Sequence, residues 1–154
     1  MVQHVARVPD DRLTKPELAA WKGMLVTHAR MISMLDAELR EGHGLTLQEY
    51  EVLMNLTDAD GGRLRMSELA EEVLISRSGL TRVVDRLERR ELVGRSQAGD
   101  DGRGLFAEIR PEGRRLVGRA RRTHLAGVRR LFTSHLSGPQ MAALAGAWAA
   151  VAQD

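Results

Sequence analysis

The sequence predicts a mainly α-helical chain with one small β-hairpin, and three observations lead there. Only five of 154 residues are aromatic (Trp21, Tyr50, Phe106, Phe132, Trp148), so packing rests on Leu, Ala, Val and Met, a set that favours helices. Apolar residues recur at steps of three and four over most of the chain, the period of a helix with one buried face. Two short runs of strand character flank the turn Gly99-Asp-Asp-Gly-Arg-Gly, the pattern of a hairpin.

Taken in order, the first element is a helix of more than twenty residues. Leu18, Trp21, Leu25, His28, Ile32, Leu35 and Leu39 form one stripe, with Pro16 near the start and Gly42 and Gly44 at the end. Thr46 and Glu49 then form a T-x-x-E capping box, with Leu45 and Tyr50 as its hydrophobic staple. A second helix therefore starts near Leu47 and runs to the break at Asp58-Ala-Asp-Gly-Gly. Arg63-Leu64-Arg65 has the length of one small strand. Residues 68–74 read as a short helix with Leu69, Val73 and Leu74 inward.

Ser76 caps the next helix, residues 77–90. It buries Leu80, Val83, Val84 and Leu87 and turns Arg77, Ser78, Thr81, Arg82, Asp85, Arg86 and Arg89 outward. Residues 94–98 and 105–110 are the hairpin strands. Pro111-Glu112 opens a long helix through Leu116, Ala120, Val128 and Leu131. Ser137 and Gln140 form another capping box, and the last helix carries Leu144, Ala145, Trp148 and Val151 inward.

Composition narrows the function. With 43% hydrophobic and 29% charged residues, the chain has the profile of an ordinary globular domain rather than a disordered segment. The absence of Cys excludes a disulfide scaffold, a thiolate metal site, a cysteine nucleophile and a thiol redox sensor. The five His residues show no metal-ligand spacing, and no cofactor or metal is expected. No G-x-S-x-G, H-E-x-x-H, P-loop or G-x-G-x-x-G motif is present, so an enzyme is not expected. With no apolar run long enough for a bilayer and no signal-type segment, the expected location is cytoplasmic.

The net charge of +2 is unevenly spread. Residues 1–61 hold 6 Lys+Arg against 10 Asp+Glu, and residues 62–122 hold 15 against 10, with all 15 being Arg. Arginine recognises phosphate and guanine with two parallel hydrogen bonds. A basic middle third is therefore either a polyanion-binding module or a solvated surface. The order helix, turn, Arg-rich helix, hairpin favours the first, because it describes a winged helix-turn-helix. A recognition helix needs an apolar face against its scaffold and a polar face with small Ser and Thr, so that Arg can reach base edges or phosphates in the major groove.

Residues 64–72 (L-R-M-S-E-L-A-E-E), 76–93 (S-R-S-G-L-T-R-V-V-D-R-L-E-R-R-E-L-V) and 101–113 (D-G-R-G-L-F-A-E-I-R-P-E-G) together resemble the multiple-antibiotic-resistance regulator (MarR) family. The strong likeness covers about a third of the chain, and the order of flanking helices extends it over nearly all. The resemblance implies a bacterial homodimeric transcription factor, usually a repressor that leaves duplex DNA when a small ligand binds. It further implies that the N-terminal helix (1–45) and the C-terminal helices (114–154) serve dimerisation around a winged module at 46–113. Asp101 and Arg103 match the D-x-R of the family's wing, where the Arg enters the minor groove. Thr81-Arg82 and Asp85-Arg86 match the recognition-helix pairs. Arg110 stands where the family often has Thr, a poorer helix cap, and Gly104 follows the D-x-R.

The expected DNA contacts are thus Ser76, Arg77, Ser78, Thr81, Arg82, Arg86, Arg89, Arg95, Asp101 and Arg103, with Arg89 and Arg95 as phosphate contacts. The residues suggest a small aromatic or phenolic anion as the small ligand, since Trp21 and several Met offer apolar contact and His28, His124 and Arg30 offer charge. Trp21, Met24, His28, Tyr50 and His124 would then line a pocket between the outer helices and the winged module. The other reading of His28 and His124 is that both are satisfied core histidines. The alternative function is a winged-helix protein-interaction module without ligand sensing.

Overall fold

A computed structural model describes residues 12–97 and 104–152. Its order is α1 (Lys15–His43), α2 (Leu47–Asp58), β1 (Arg63–Arg65), α3 (Met66–Glu72), α4 (Arg77–Arg89), β2 (Val93–Gln97), β3 (Leu105–Ile109), α5 (Pro111–Leu131) and α6 (Gly138–Val151). This is the mainly α architecture expected, with a winged helix-turn-helix at its centre. Most helix starts are set by local chemistry. The Thr46 hydroxyl accepts from the Glu49 N–H at 3.0 Å while the Glu49 carboxylate accepts from the Thr46 N–H at 2.9 Å. Thr14 with Glu17, and Ser137 with Gln140, make the same reciprocal cap for α1 and α6. Gly44 ends α1 in the left-handed region at φ 62°, donating to the Arg40 carbonyl.

The core lies where α2, α3, α4 and the sheet meet the end of α1 and the start of α5. Leu39, Leu53, Leu56, Leu69, Leu80, Leu87, Val93 and Val117 are all essentially inaccessible there. Truncating any such leucine to Ala would cost about 2–5 kcal/mol. The sheet has the antiparallel order β1-β3-β2, so Arg63-Leu64-Arg65 forms a third strand beside the hairpin. Leu64 and Arg95 both stand opposite Ala107. The guanidiniums of Arg63 and Arg65 lie over the Phe106 ring, 4.7 and 5.0 Å from its centroid.

Gly113, in the Pro-Glu-Gly opening of α5, is a point of backbone contact. A Cβ there would sit 2.3 Å from the Leu92 carbonyl oxygen, so only glycine lets α5 seat against the start of β2.

Two expectations about burial are corrected, and the α1 stripe adds an observation. Leu74 does not point inward: it is 90% exposed, at φ 55°. The reason is that α3 ends at Glu72 and the chain reverses, with the Ile75 N–H bonding back to the Ala70 carbonyl at 3.1 Å. The α6 stripe is not inward within one chain. No described residue of α6 is buried, because the contiguous core ends at Ala120, and Trp148 and Val151 stay exposed. The α1 stripe is covered only at its end: Leu35 and Leu39 are buried, whereas Leu18, Trp21, Leu25 and Ile32 are exposed.

Candidate nucleic-acid interface

Helix α4 is built to present one face. Ser76 caps it, its Oγ accepting from the Gly79 N–H at 3.1 Å and pairing with the Ser78 hydroxyl at 3.2 Å. Leu80, Val83, Val84 and Leu87 are at most 2% exposed and fix its roll against the core. That leaves Arg77, Ser78, Thr81, Arg82 and Arg89 exposed on the opposite side. The Thr81 hydroxyl donates to the Arg77 carbonyl at 3.0 Å, and Arg89 Nε donates to the Asp85 carbonyl at 3.2 Å. The guanidinium of Arg82 carries no ion pair among the described residues.

Two arginines assigned to that face have partners inside the fold. Arg86 Nε donates to Glu49 Oε1 at 2.9 Å, with Arg90 Nη1 3.6 Å from the other oxygen. Glu49 is only 4% exposed, and its carboxylate serves both the α2 cap and this pair. Arg95, on β2, donates to Asp85 Oδ1 and to Glu88 Oε2, each at 2.5 Å. Arg86 therefore pairs α4 with α2, and Arg95 ties the wing to α4, each through a charge-assisted hydrogen bond, although the Arg86 side chain stays 41% exposed. Asp101 and Arg103 lie outside the described residues.

The structure adds neighbours that the sequence reading omitted. Arg65, Ser67 and Gly104 line a groove of about 280 Å³ together with Arg77 and Thr81, between the starts of α3 and α4 and the wing. The signal available was Arg65 and Ser67 flanking the strand-to-helix junction before α3.

The five ligand candidates do not share one place. His28 is exposed on α1, which removes the core-histidine reading for it. It lines a cleft of about 810 Å³ formed with Ile32, Asp36, Gln48, Glu51 and Leu74, in which Trp21, Met24, Tyr50 and His124 take no part. Burial pushes the Glu51 carboxyl up there. Tyr50 and His124 stack elsewhere, between α2 and α5, with ring centroids 4.6 Å apart. Burial lowers the His124 pKa and raises that of Tyr50, and His124 Nδ1 is buried without a partner among the described residues. Trp21 is 52% exposed on the uncovered half of α1, and Met24 lies one turn on. Among the described residues no cluster of His, Asp and Glu could hold a metal ion, and no helix is long and apolar enough to cross a membrane.

A capped, amphipathic helix α4 followed by the β2–β3 hairpin, with β1 completing the sheet, defines the class of winged helix-turn-helix proteins. The sequence pattern of the MarR family matches residues 43–104. AbsC, a MarR family transcriptional regulator from Streptomyces coelicolor, is 33% identical, with 94% of this chain and 97% of that one covered and a TM-score of 0.88. A second MarR family regulator of Streptomyces coelicolor, solved in complex with DNA, is 30% identical over 94% of this chain and 91% of that one, with a TM-score of 0.89. The HTH-type transcriptional repressor YetL of Bacillus subtilis is 33% identical over 73 residues, a match spanning 47% of this chain and 44% of the repressor. The chain belongs to the MarR family of transcriptional regulators.

Proposed function

We propose that the chain acts as a homodimeric repressor that reads an inverted-repeat operator in duplex DNA, in the cytoplasm and without a catalytic step. The observation that carries this reading is α4. Its apolar face is fully buried while Arg77, Ser78, Thr81 and Arg82 stand exposed at its N-terminal half, the end that a recognition helix puts into the major groove. The Streptomyces relative solved in complex with DNA supports the same use, and the match to the repressor YetL supports repression. Ser76, Arg89, Asp101 and Arg103 remain assigned to the DNA surface. Arg86 and Arg95 contribute by holding α4 and the wing in place.

Residues 1–45 and 114–154 are assigned to dimerisation, around a winged module at 46–113. What supports this is apolar surface with no cover in one chain: Leu18, Trp21, Leu25 and Ile32 on α1, and Trp148 and Val151 on α6. Fully burying each large apolar side chain contributes about 1.5–3 kcal/mol. A two-fold axis through these helices would present two copies of α4 at successive turns of one face of DNA.

Ligand release is the remaining part of the reading. A small aromatic or phenolic anion bound between α1 and the winged module would act by favouring a dimer whose α4 helices are spaced wrongly for the groove. The His28 cleft, which joins α1 to the α3–α4 turn, supports that location. The test is a mobility-shift titration on the DNA upstream of the chain's own reading frame, with and without salicylate. Saturable binding to that DNA over unrelated DNA, reduced by salicylate, is expected. Binding that ignores sequence would overturn the operator reading, and binding that ignores salicylate would remove this effector.

A further inference from the structure

We propose that the open cleft between the end of α1, the start of α2 and the second half of α4 binds a small phosphate-bearing anion. It adjoins the His28 cleft, sharing Arg40, Thr46 and Arg86 with it, and extends from there to Arg89 and Arg90. About 650 Å³ in volume, it is lined by Arg40, Arg86, Arg89 and Arg90, with Glu49 as the one carboxylate in the lining. Asp36 stands behind Arg40, bonded to its Nε at 2.5 Å. Four guanidiniums therefore face two carboxylates, and one of those, Glu49, already accepts from Arg86 and from the Thr46 N–H.

Helix ends alone do not explain this convergence. Basic residues in a last turn offset the helix dipole, and Arg40 and Arg89 occupy last turns. The Leu39, Arg40 and Leu87 carbonyls at those ends are nevertheless already satisfied by backbone N–H groups. Gly44 and Leu45 donate to the Arg40 and Leu39 carbonyls at 3.0 and 3.3 Å, and Arg90 and Leu92 donate to the Leu87 carbonyl at 3.2 and 3.0 Å. Nor does the dipole require arginines from two helices to meet in one cleft.

Their donors are only partly used. Arg40 and Arg89 each commit Nε alone, which leaves both Nη groups of each without a hydrogen bond among the described residues. Arg90 commits Nη1 to the Gly44 carbonyl at 2.9 Å. Several outward-facing guanidinium donors around one cleft suit a tetrahedral phosphate, which accepts through several oxygens at once. The cleft lies on the flank of α4 turned to α2, at the end opposite the one that enters the groove, and only Arg89 of its lining is also assigned to the DNA surface, so a free small molecule is the phosphate source proposed. Bound there, the anion would tie Arg40 on α1 to Arg89 and Arg90 on α4, and its occupancy would be felt by the recognition helix.

The test is calorimetric titration of the full chain with pyrophosphate, without DNA, against chloride at matched ionic strength, with Tm followed in parallel. Saturable binding that raises Tm is expected. Arg40→Gln and Arg90→Gln should each weaken it about tenfold, the loss of one charge-assisted contact. Arg40 is the safer variant, because its guanidinium is exposed and pairs only within its own helix. No saturable heat for the wild type, or wild-type affinity in both arginine variants, overturns the proposal. So does a pyrophosphate-blind protein in which Arg40→Gln instead weakens duplex DNA binding and flattens its salt dependence, since the phosphate would then be the backbone's. A wild type that binds pyrophosphate but no DNA would leave this site standing and remove the operator reading.

Discussion

Arg95 on β2 holds the Asp85 carboxylate of α4 at 2.5 Å, and with the same guanidinium it reaches Glu88 one turn further along. The wing and the recognition helix are thereby joined as one body. The bond also neutralises two carboxylates that would otherwise repel phosphate from the side of α4. Replacing Arg95 by Ala should lower stability by about 1.5–3 kcal/mol, the range for hydrogen bonds to charged groups. It should also weaken operator binding more than removal of one positive charge explains. Urea unfolding and DNA titration over a range of salt check both effects; an unchanged unfolding midpoint would mean that the pair is ornamental.

Glu49 offers a second test, because its buried carboxylate caps α2 and pairs with Arg86 on α4. Glu49→Gln keeps the shape and removes the charge, leaving the Arg86 guanidinium half-buried without its counter-ion. A loss of about 1–3 kcal/mol is expected in urea unfolding. Arg86→Met should be milder than Arg86→Ala, since the aliphatic stem also packs.

Glycines at two points of α5 should respond in opposite directions. Gly113→Ala drives a Cβ to 2.3 Å from the Leu92 carbonyl, a backbone atom that cannot swing aside. It should cost about 1–3 kcal/mol. Gly118→Ala meets nothing within 4 Å and should stabilise the helix by up to about 1 kcal/mol. Thermal unfolding of the two variants side by side gives the comparison; equal shifts would contradict the close approach at Gly113.

His124 predicts a pH dependence with a definite sign. Burial against Tyr50 lowers its pKa in the folded chain below the ordinary value of 6.5. The unfolded chain therefore takes up the proton first as pH falls. The penalty appears as pH drops below about 6.5 and grows until the folded-state pKa is passed. His124→Phe, which keeps a ring on Tyr50, should flatten the fall in stability between pH 7 and about pH 5. Parallel curves for wild type and variant would show that another group titrates there.

What was legible in the sequence was what local chemistry decides. Thr46 with Glu49, and Ser76 before an amphipathic run, fix helix starts within a few residues of themselves, and α4 bears out its whole inward face. The hairpin was legible from its turn, and Arg63-Leu64-Arg65 as a strand, but its place beside β3 rather than β2 depends on distant pairing. Arg86 and Arg95 read as outward cations because their partners, Glu49 and Asp85, approach only once α2 and the wing are packed. Leu74 read as core because a leucine in a left-handed turn has no sequence signature. The α6 stripe was legible as apolar, but not as uncovered, since burial depends on what lies opposite. Trp21, Met24, His28, Tyr50 and His124 were grouped by residue type, and type does not determine which cleft a side chain enters.

The measurement that bears most directly on the central claim is a footprint on the DNA upstream of the chain's reading frame, with protein stoichiometry determined on the same fragment. A symmetric dimer using α4 predicts two chains per site. It predicts an inverted repeat whose half-site centres are separated by one helical turn, about 34–36 Å, or a multiple of it. It also predicts loss of about 1–3 kcal/mol with relaxed half-site preference in Arg82→Ala. Protection of a single unpaired half-site by one chain, with Arg82→Ala binding as tightly as wild type, would contradict it.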